Sequence, residues 1–300
     1  GHAALRVTTS DNNTGIGSCA LYNNTTGANN VSIGAASLCS NTTACWNVAV
    51  GQGSMQKTNT GNRNAGLGHN HLSLNTTGSG NTAVGGLNPG TYPVMYSNTT
   101  GNHNSAFGAA ALCANTTGSQ NVALGYIAGN NITTGSNNIM IGKGACIDSA
   151  TANNATSIGE NVVSISGSVT FGNGSTDSRI AFGATSITAP SDMRLKEDIQ
   201  DDTAGLSFIN DLRPVTYRWR KEKNIPEEMR THVAGSEKRY NNDKVNHGFI
   251  AQEVKEAIDK HPELKDGFDM WTEEDTLDGR QRIAEGSLIP MLVNAIKELK

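Results

Sequence analysis

Apolar and polar positions in the first half of the chain follow a repeat of fixed length. A glycine preceded by an apolar residue recurs every 17 residues from Gly17 to Gly85 and again from Gly108 to Gly159. The apolar residues are Ile16, Ile33, Val50, Leu67, Val84, Phe107, Leu124, Ile141 and Ile158. Four positions before the glycine, eight of the nine copies carry an asparagine: Asn13, Asn30, Asn47, Asn64, Asn81, Asn104, Asn121 and Asn138, with Ala155 in the last copy. Spacing this regular predicts a repeat protein.

Each repeat combines a short strand pattern with turn residues. The alternation in Val122-Ala123-Leu124 predicts a strand, and clusters such as Asn115 to Gly118 (Asn-Thr-Thr-Gly) predict turns with positive φ. Helix is excluded because glycine is frequent and long unbranched helix formers are few. One unit buries too little apolar surface to be stable alone, so we expect the copies to stack in a β-solenoid or β-roll, with the asparagines hydrogen-bonded in a ladder along one edge.

The best copies of the repeat resemble a known architecture. Asn-Thr-Ala-Val-Gly at 81–85 and Asn-Val-Ala-Leu-Gly at 121–125, separated by Asn-Thr-Thr-Gly turns, are similar to the head repeats of trimeric adhesins and of many phage tail fibres. The resemblance covers residues 10–165 and implies a parallel homotrimer. It leaves open whether one chain forms each coil or three chains interleave.

One step of the repeat is longer than the others. Gly85 and Gly108 are 23 residues apart, and the intervening segment carries Tyr92 and Tyr96 beside Pro89 and Pro93. We expect this insertion to loop out of the rod. Because aromatic residues are scarce here, the two tyrosines are candidate contacts for a host cell-surface glycan or receptor.

The second part of the chain differs in charge and in pattern. Residues 1–190 contain five Lys or Arg and four Asp or Glu, whereas residues 191–300 contain 18 and 23. Helical periodicity at 204–212, strand patterns at 215–219 and before 251, and an amphipathic terminal helix from Leu288 to Leu299 predict an α+β domain. The predicted domains are therefore a repeat rod at 1–165, a β neck at 166–190 and an α+β domain at 191–300.

Three motifs in this second part carry a more specific resemblance. Ser191-Asp192-x-Arg194-Leu195-Lys196, the stretch from Gly248 to Val254, and a closing Leu-Ile-Pro-x-Leu helix resemble the C-terminal intramolecular chaperone domain of endosialidase-type phage tailspikes and fibres. That family is also classed as a self-cleaving serine peptidase. The resemblance implies that Pro190-Ser191 is the scissile bond, Ser191 the nucleophile and Lys196 its general base. Further matches without an assigned proton-transfer role are Asp192, Arg194, Gly248, Phe249, Gln252 and Glu253.

The implied dyad has a clear chemical requirement. A serine hydroxyl needs a base to take its proton, and a lysine serves only if burial lowers its pKa well below the ordinary value of about 10.4. Attack on the preceding carbonyl is intramolecular, so a high effective molarity replaces a substrate pocket.

Composition excludes several other classes. A net charge of -4 without a basic cluster argues against nucleic acid binding, and no apolar run is long enough to span a membrane. Five cysteines without Cys-x-x-Cys spacing indicate free thiols in a reducing cytoplasm, and His69 and His71 lack a third ligand, so we expect neither a metal nor a cofactor. Gly1-His2 is typical of a tag remnant, and we expect the natural protein to continue upstream.

These observations favour a segment of a trimeric viral tail fibre, assembled in the host cytoplasm and carried on the virion. Its C-terminal domain would drive trimerisation and then release itself. The alternatives are a bacterial-type surface adhesin and a glycan-degrading tailspike whose enzymatic part lies elsewhere. Residues 191–300 do not suit the membrane-anchoring end of an adhesin. A depolymerase needs paired carboxylates, and the acidic residues of the repeats are far apart in sequence: Asp11, Asp148, Glu160 and Asp177.

Overall fold

The computed structural model describes residues 1–86, 92–184, 186–188, 191–264, 268–273 and 279–300. The chain divides into two units, Gly1–Leu195 and Lys196–Lys300. The strands of the first unit are β1 (Thr14–Ile16), β2 (Val31–Ile33), β3 (Val48–Val50), β4 (Ala65–Leu67), β5 (Thr82–Val84), β6 (Ser105–Phe107), β7 (Val122–Leu124), β8 (Ile139–Ile141), β9 (Cys146–Ile147), β10 (Ala155–Glu160), β11 (Val163–Ser164), β12 (Ser168–Asn173) and β13 (Thr176–Ala181).

The first unit is a parallel β-solenoid, as the repeat predicts. Strands β1 to β8 pair in chain order, each one 17-residue step from the last except across the insertion, and the sheet continues through β10 and β12. Strand β13 closes the sheet by pairing antiparallel with β12. Consecutive repeats of one chain form consecutive coils. Of the two arrangements that the sequence leaves open, the structure therefore has one chain forming each coil.

Small and aliphatic side chains fill the interior of the solenoid. The middle residue of each strand points inward, as Ala83, Ala106 and Ala123 do, and an aliphatic residue from the following turn packs beside it. These aliphatic residues have φ between 46° and 52°: Leu21, Leu38, Met55, Leu72, Met95 and Leu112. A left-handed backbone costs about 1–2 kcal/mol per residue, whereas full burial of such a side chain contributes about 1.5–3 kcal/mol, so burial outweighs the strain.

The repeated glycine is required by the distance between coils. Gly108 has φ 121°, and a Cβ atom placed on it would lie 2.5 Å from the carbonyl oxygen of Gly125 in the next coil. Only a residue without a side chain fits this approach.

The repeated asparagines form the predicted ladder, but inside the coil and not at its edge. Asn104 shows the pattern: its Nδ2 donates to Gly118 O at 2.8 Å and to Asn81 Oδ1 at 3.1 Å. Its Oδ1 accepts the backbone N–H of Asn121 at 3.0 Å. Asn104 and its equivalents from Asn30 to Asn138 are buried. Each side chain therefore satisfies main-chain groups of two coils that water cannot reach.

A second ladder was not anticipated from the sequence. It uses the position two residues before the repeated asparagine, which is Asn or Ser in every copy from Asn62 to Asn153. Asn102 Oδ1 accepts the backbone N–H of Ser79 at 2.8 Å, and Ser119 Oγ accepts that of Asn102 at 3.0 Å. Either side chain supplies the oxygen that this position needs, which is why no single residue type marks it.

Most of the apolar residues before the repeated glycines point outward. We call them the apolar stripe: Ile16, Ile33, Leu67, Phe107, Leu124, Ile141 and Ile158, which are 37–57% exposed. Val48, Val122 and Ile139 lie two positions earlier on the same outward side and are similarly exposed. The stripe follows the sheet from coil to coil along one side of the first unit.

The insertion after Gly85 ends earlier in the chain than we expect from the sequence. The coil resumes at Pro93, and Met95 takes the buried aliphatic position that Leu72 fills in the preceding coil. Tyr96 consequently lies in the regular coil and not on a projecting loop. Tyr92 is exposed, and its ring centroid is 5.8 Å from that of Tyr96. Pro89 lies outside the described residues.

The second unit is a small α+β domain, as predicted. Its elements are α1 (Leu206–Asp211), β14 (Val215–Tyr217), β15 (Asn246–Gly248), α2 (Ala251–Lys260), β16 (Trp271–Glu273), β17 (Gln281–Ile283) and α3 (Ile289–Glu298). Strands β14 and β15 form one antiparallel pair, and β16 and β17 form another. The helices enclose one core: Ala204, Phe208, Val254, Ala257, Ile258, Leu264, Met270, Leu288 and Met291.

A buried histidine joins two parts of this core. His261 is only 7% exposed, its ring meets Phe208 edge-on at 5.3 Å, and its Nε2 and Nδ1 each lie 3.0 Å from a carboxylate oxygen, of Asp211 on α1 and of Glu263 after α2. Burial alone would lower the pKa of His261, but the two carboxylates outweigh it and raise the pKa above the ordinary value. The charged imidazolium therefore links α1 to the end of α2.

We expect Asn104→Ala to destabilise the solenoid by about 2 kcal/mol, because it leaves the buried N–H of Asn121 without a partner and the carbonyl of Gly118 with Asn115 Nδ2 as its remaining donor. Asn130→Ala, which removes an exposed asparagine of the same solenoid, is the matched control. Denaturant unfolding of the full chain measures both variants. Equal stability of the two would refute the role given to the ladder.

We expect the C-terminal unit to lose stability as the pH rises through the folded pKa of His261. Its folded pKa is raised, so the stabilisation is complete below the unfolded value of about 6.5 and disappears above the folded value. Thermal unfolding of the full chain, followed by tryptophan fluorescence, should show a midpoint that falls by a few degrees over this interval. His261→Gln should remove that dependence, and a variant that keeps the wild-type pH profile would contradict the assignment.

Candidate functional site

The first motif of the predicted site forms a short turn with an internal ion pair. Residues Met193–Leu195 make one 3-10 turn, and Arg194 folds back onto Asp192, with Nη2 to Oδ2 at 2.5 Å and Nε to Oδ1 at 3.0 Å. Hydrogen bonds from the Arg194 side chain and backbone lower the pKa of Asp192. Asp192 and Arg194 thus shape the turn that separates Ser191 from Lys196.

The predicted nucleophile and base are both at the surface of the single chain. Ser191 is the first residue described after the 189–190 gap, and Lys196 begins the second unit; both side chains are exposed. Pro190, the other side of the predicted scissile bond, lies outside the described residues. The assignment of these residues to catalysis stays a prediction.

The second motif lies where β15 leads into α2. Gly248 ends the strand, Phe249 packs against the core, and Gln252 and Glu253 are in the first turn of the helix. Glu253 receives two hydrogen bonds from the guanidinium of Arg213, one of them from Nε at 3.0 Å. Arg213 lowers the pKa of Glu253 and keeps it ionised. The pair joins the segment after α1 to the start of α2.

A cavity of about 530 Å³ opens beside Gly248. Its lining residues are Pro214, Val215, Thr216, His247, Gly248, Phe249 and Glu285. A Cβ atom at Gly248 would lie 3.5 Å from Glu285 Oε1 and 3.6 Å from the ring of Tyr217, so a larger residue would enter this space. The Cβ atom of an alanine at this position would itself make only ordinary van der Waals contacts.

A larger cavity of about 690 Å³ in the same unit was missed by the sequence reasoning. Tyr217, Trp219 and Tyr240 form a chain of edge-to-face rings along it, with centroids 5.3 Å apart at each step. Gln252 and four arginines also line it: Arg218, Arg220, Arg280 and Arg282. These residues are spread from 217 to 282 and share no spacing, so only the fold brings them together.

Helix α3 presents a row of exposed apolar residues. Met291 and Ala295 are buried in the core of the unit, whereas the opposite side carries large apolar side chains that are 43–71% exposed: Ile289, Leu292, Val293, Ile296 and Leu299. Their spacing of three and four residues places them on one face of the helix. We call this row the α3 face.

Other chemistry is limited in the part of the chain that the structure describes. No group of three or more His, Cys, Asp or Glu residues there is arranged to hold a metal ion, and no described helix has the length and apolar character to cross a membrane. All five cysteines are free thiols. Burial raises the pKa of Cys39, Cys113 and Cys146, which makes them poor nucleophiles.

Comparison with known proteins gives one match. The model of the family described as chaperone of endosialidase matches residues 191–262, from the predicted nucleophile to the end of α2. No curated protein and no solved structure matches the chain. The matched segment contains both motifs, Ser191 to Lys196 and Gly248 to Glu253, and follows a parallel β-solenoid. Residues 191–262 are thus similar to the chaperone of endosialidase family, which is the resemblance that the sequence motifs predict.

Proposed function

We propose that this chain is a segment of a trimeric viral tail fibre whose C-terminal unit is an intramolecular chaperone. In this proposal the unit brings three chains together, aligns the solenoids, and then releases itself by cleavage of Pro190-Ser191. The observation that carries the proposal is the family match at 191–262, placed directly after a solenoid. On the basis of the same family match, we propose that the fibre is carried on the virion and attaches to a host surface.

Two exposed apolar surfaces support a homotrimer. The apolar stripe repeats once per coil, so a second copy in parallel register would place one stripe against another along many coils. The α3 face offers five large apolar side chains on a helix whose other side is already packed. Surfaces of this kind mark interaction sites in soluble proteins. Copies of the same chain suit both, because each surface is self-complementary in a parallel assembly.

The repeat itself explains why such a rod needs a chaperone. Sliding one chain by 17 residues replaces each coil with a near copy, so the stripes pair almost as well in the wrong register. A C-terminal unit that associates first fixes the starting point and reduces the entropy cost of the first correct pairing. Cleavage afterwards removes the template and leaves a fibre whose stability is kinetic.

The proposed cleavage uses two residues of the first motif. Lys196 Nζ, in its neutral form, takes the proton of Ser191 Oγ, and Oγ attacks the carbonyl carbon of Pro190. The C–N bond to Ser191 breaks, the freed amine takes up a proton, and an ester to Oγ forms that water then hydrolyses. A lysine acts as a base only where its surroundings favour the neutral amine. Because Lys196 is exposed in the single chain, we infer that association of the chains supplies this environment.

We expect Ile296→Asp to keep the C-terminal unit folded but to prevent trimerisation, because it places a charge at the centre of the α3 face. Lys297→Asp places a carboxylate beside that face, with a charge change of two units where Ile296→Asp changes the charge by one, and is the control. Light scattering in native buffer should give the mass of a trimer for the wild type and the control, and of a monomer for Ile296→Asp. A wild-type protein that is monomeric at micromolar concentration would remove the basis of this proposal.

We expect Ser191→Ala and Lys196→Ala each to abolish cleavage while trimers still form. Denaturing mass spectrometry of freshly folded wild type should show fragments 1–190 and 191–300, whereas each variant should show only the intact chain. Lys244→Ala, at another exposed lysine of the second unit, should cut normally. Cleavage of Lys196→Ala at the wild-type rate would show that Lys196 is not the base, and cleavage by monomeric Ile296→Asp would show that trimerisation is not required.

A further inference from the structure

One corner of the solenoid holds the same strained backbone in every coil. We call it the corner column; its members precede the laddered asparagines and all have φ between 55° and 69°: Asn12, Asn29, Trp46, Arg63, Gly80, His103, Gln120, Asn137 and Asn154. Asparagine and glycine accept this left-handed conformation readily, whereas bulky residues do so at a cost of about 1–3 kcal/mol. Trp46 and Arg63 are the largest members, so the column bears strain there that its asparagine copies avoid.

Trp46 and Arg63 contact each other and stand outside the core. The Arg63 guanidinium carbon lies 4.9 Å from the centroid of the Trp46 ring, one coil away. Trp46 is 53% exposed, Arg63 is exposed, and neither belongs to the hydrophobic core of the solenoid. Burial therefore does not offset the backbone strain at these two positions. The leucines of the core that share a positive φ are fully buried, and their burial does offset it.

His103 extends this surface by a further step. A Cβ atom at Gly80 would lie 2.5 Å from His103 Nδ1, so the exposed imidazole lies over the glycine of the preceding coil. At ~4.8 Å between coils, Trp46, Arg63 and the position of Gly80 follow one another along the corner over about 10 Å. The result is a narrow row with an aromatic ring, a guanidinium and an imidazole in sequence.

The charge around the row is positive. Residues 12–147 contain Lys57, Arg63 and Lys143 but no Asp or Glu, so no carboxylate of these coils neutralises Arg63. Beside the row runs the second ladder, with Asn62, Ser79 and Asn102. Arg63 thus stands beside polar side chains, and no carboxylate of residues 12–147 offsets its charge.

We propose that Trp46, Arg63 and His103 form a binding site for an acidic glycan, which rests on the proposed host-attachment function and names its contact residues. Beside the guanidinium that stacks on it, the Trp46 indole remains 53% exposed and offers apolar surface to a sugar ring, and the guanidinium is suited to bind the carboxylate of an acidic sugar in bidentate fashion. The row is one side chain wide, too narrow for the roughly 800 Å² per partner that a stable protein interface buries. An extended sugar chain lying along the corner fits both its width and its chemistry.

The test applies fluorescently labelled full-chain protein to a glycan array that displays sialylated and uronic-acid-containing oligosaccharides beside neutral ones. Wild type should bind acidic glycans and leave the neutral ones. Because Trp and Arg dominate contact energies, Trp46→Ala and Arg63→Ala should each weaken binding roughly tenfold or more. Gln120→Ala, in the same corner column, is the matched control and should bind as wild type does.

Light scattering and the cleavage assay on the same variants separate the outcomes. Normal trimer mass and normal cleavage of Trp46→Ala, together with lost binding, support the site. Unchanged binding by Trp46→Ala, or no binding by wild type to any glycan on the array, overturns the site without affecting the proposed trimer and its release. Loss of the trimer in Trp46→Ala also overturns it, because the indole would then be a contact between copies.

Discussion

The amide side chain of one buried asparagine per coil is the constraint on which the solenoid depends. Each such side chain accepts a main-chain N–H of the next coil and donates to its carbonyl, so adjacent coils are joined at a fixed register. The ladder ends at Ala155, which stands at the asparagine position of the last repeat. The backbone N–H of Ala155 donates to Asn138 Oδ1 of the preceding coil at 3.0 Å, but Ala155 has no side-chain amide to bond the following coil. Beyond it the 17-residue interval stops, and the antiparallel strand β13 closes the sheet.

A ladder inside a narrow coil determines what faces outward. The interior has room for the asparagine, one small residue of each strand and one aliphatic residue of each turn. The larger apolar residues that flank the small one, such as Leu124 beside Ala123, are left on the surface. The same feature that makes each coil dependent on its neighbour thus leaves an apolar stripe exposed. The α3 face is exposed in the second unit as well, and the homotrimer that we propose would cover both surfaces.

Much of this architecture is readable from the sequence, for physical reasons. Gly108 and Asn104 each satisfy a need that recurs in every coil, so their spacing reports the stacking directly. The sequence does not show that the side chain of Leu124 points outward. The alternation of residue types along the strand shows that its two faces differ, but not which face is enclosed in the coil. The place of Tyr96 was wrongly predicted because an insertion can be absorbed anywhere before the next buried aliphatic residue, here Met95. The arginine-lined cavity was invisible because its residues meet only after β14, β15 and β17 have assembled.

The proposed function requires that the C-terminal unit associates first and that the solenoid then forms upon it. Pulse-labelling hydrogen exchange during refolding of the full chain tests this order most directly, with Ser191→Ala used so that the chain stays whole. We expect the amides of α1, α2 and α3 to become protected from exchange first. Protection should then spread through the coils, from the strands nearest residue 190 toward residue 14. Protection of the coil amides before those of the helices would contradict this order. The same contradiction would follow if the coil amides of chains that also carry Ile296→Asp became protected as fast as those of chains with an intact α3 face.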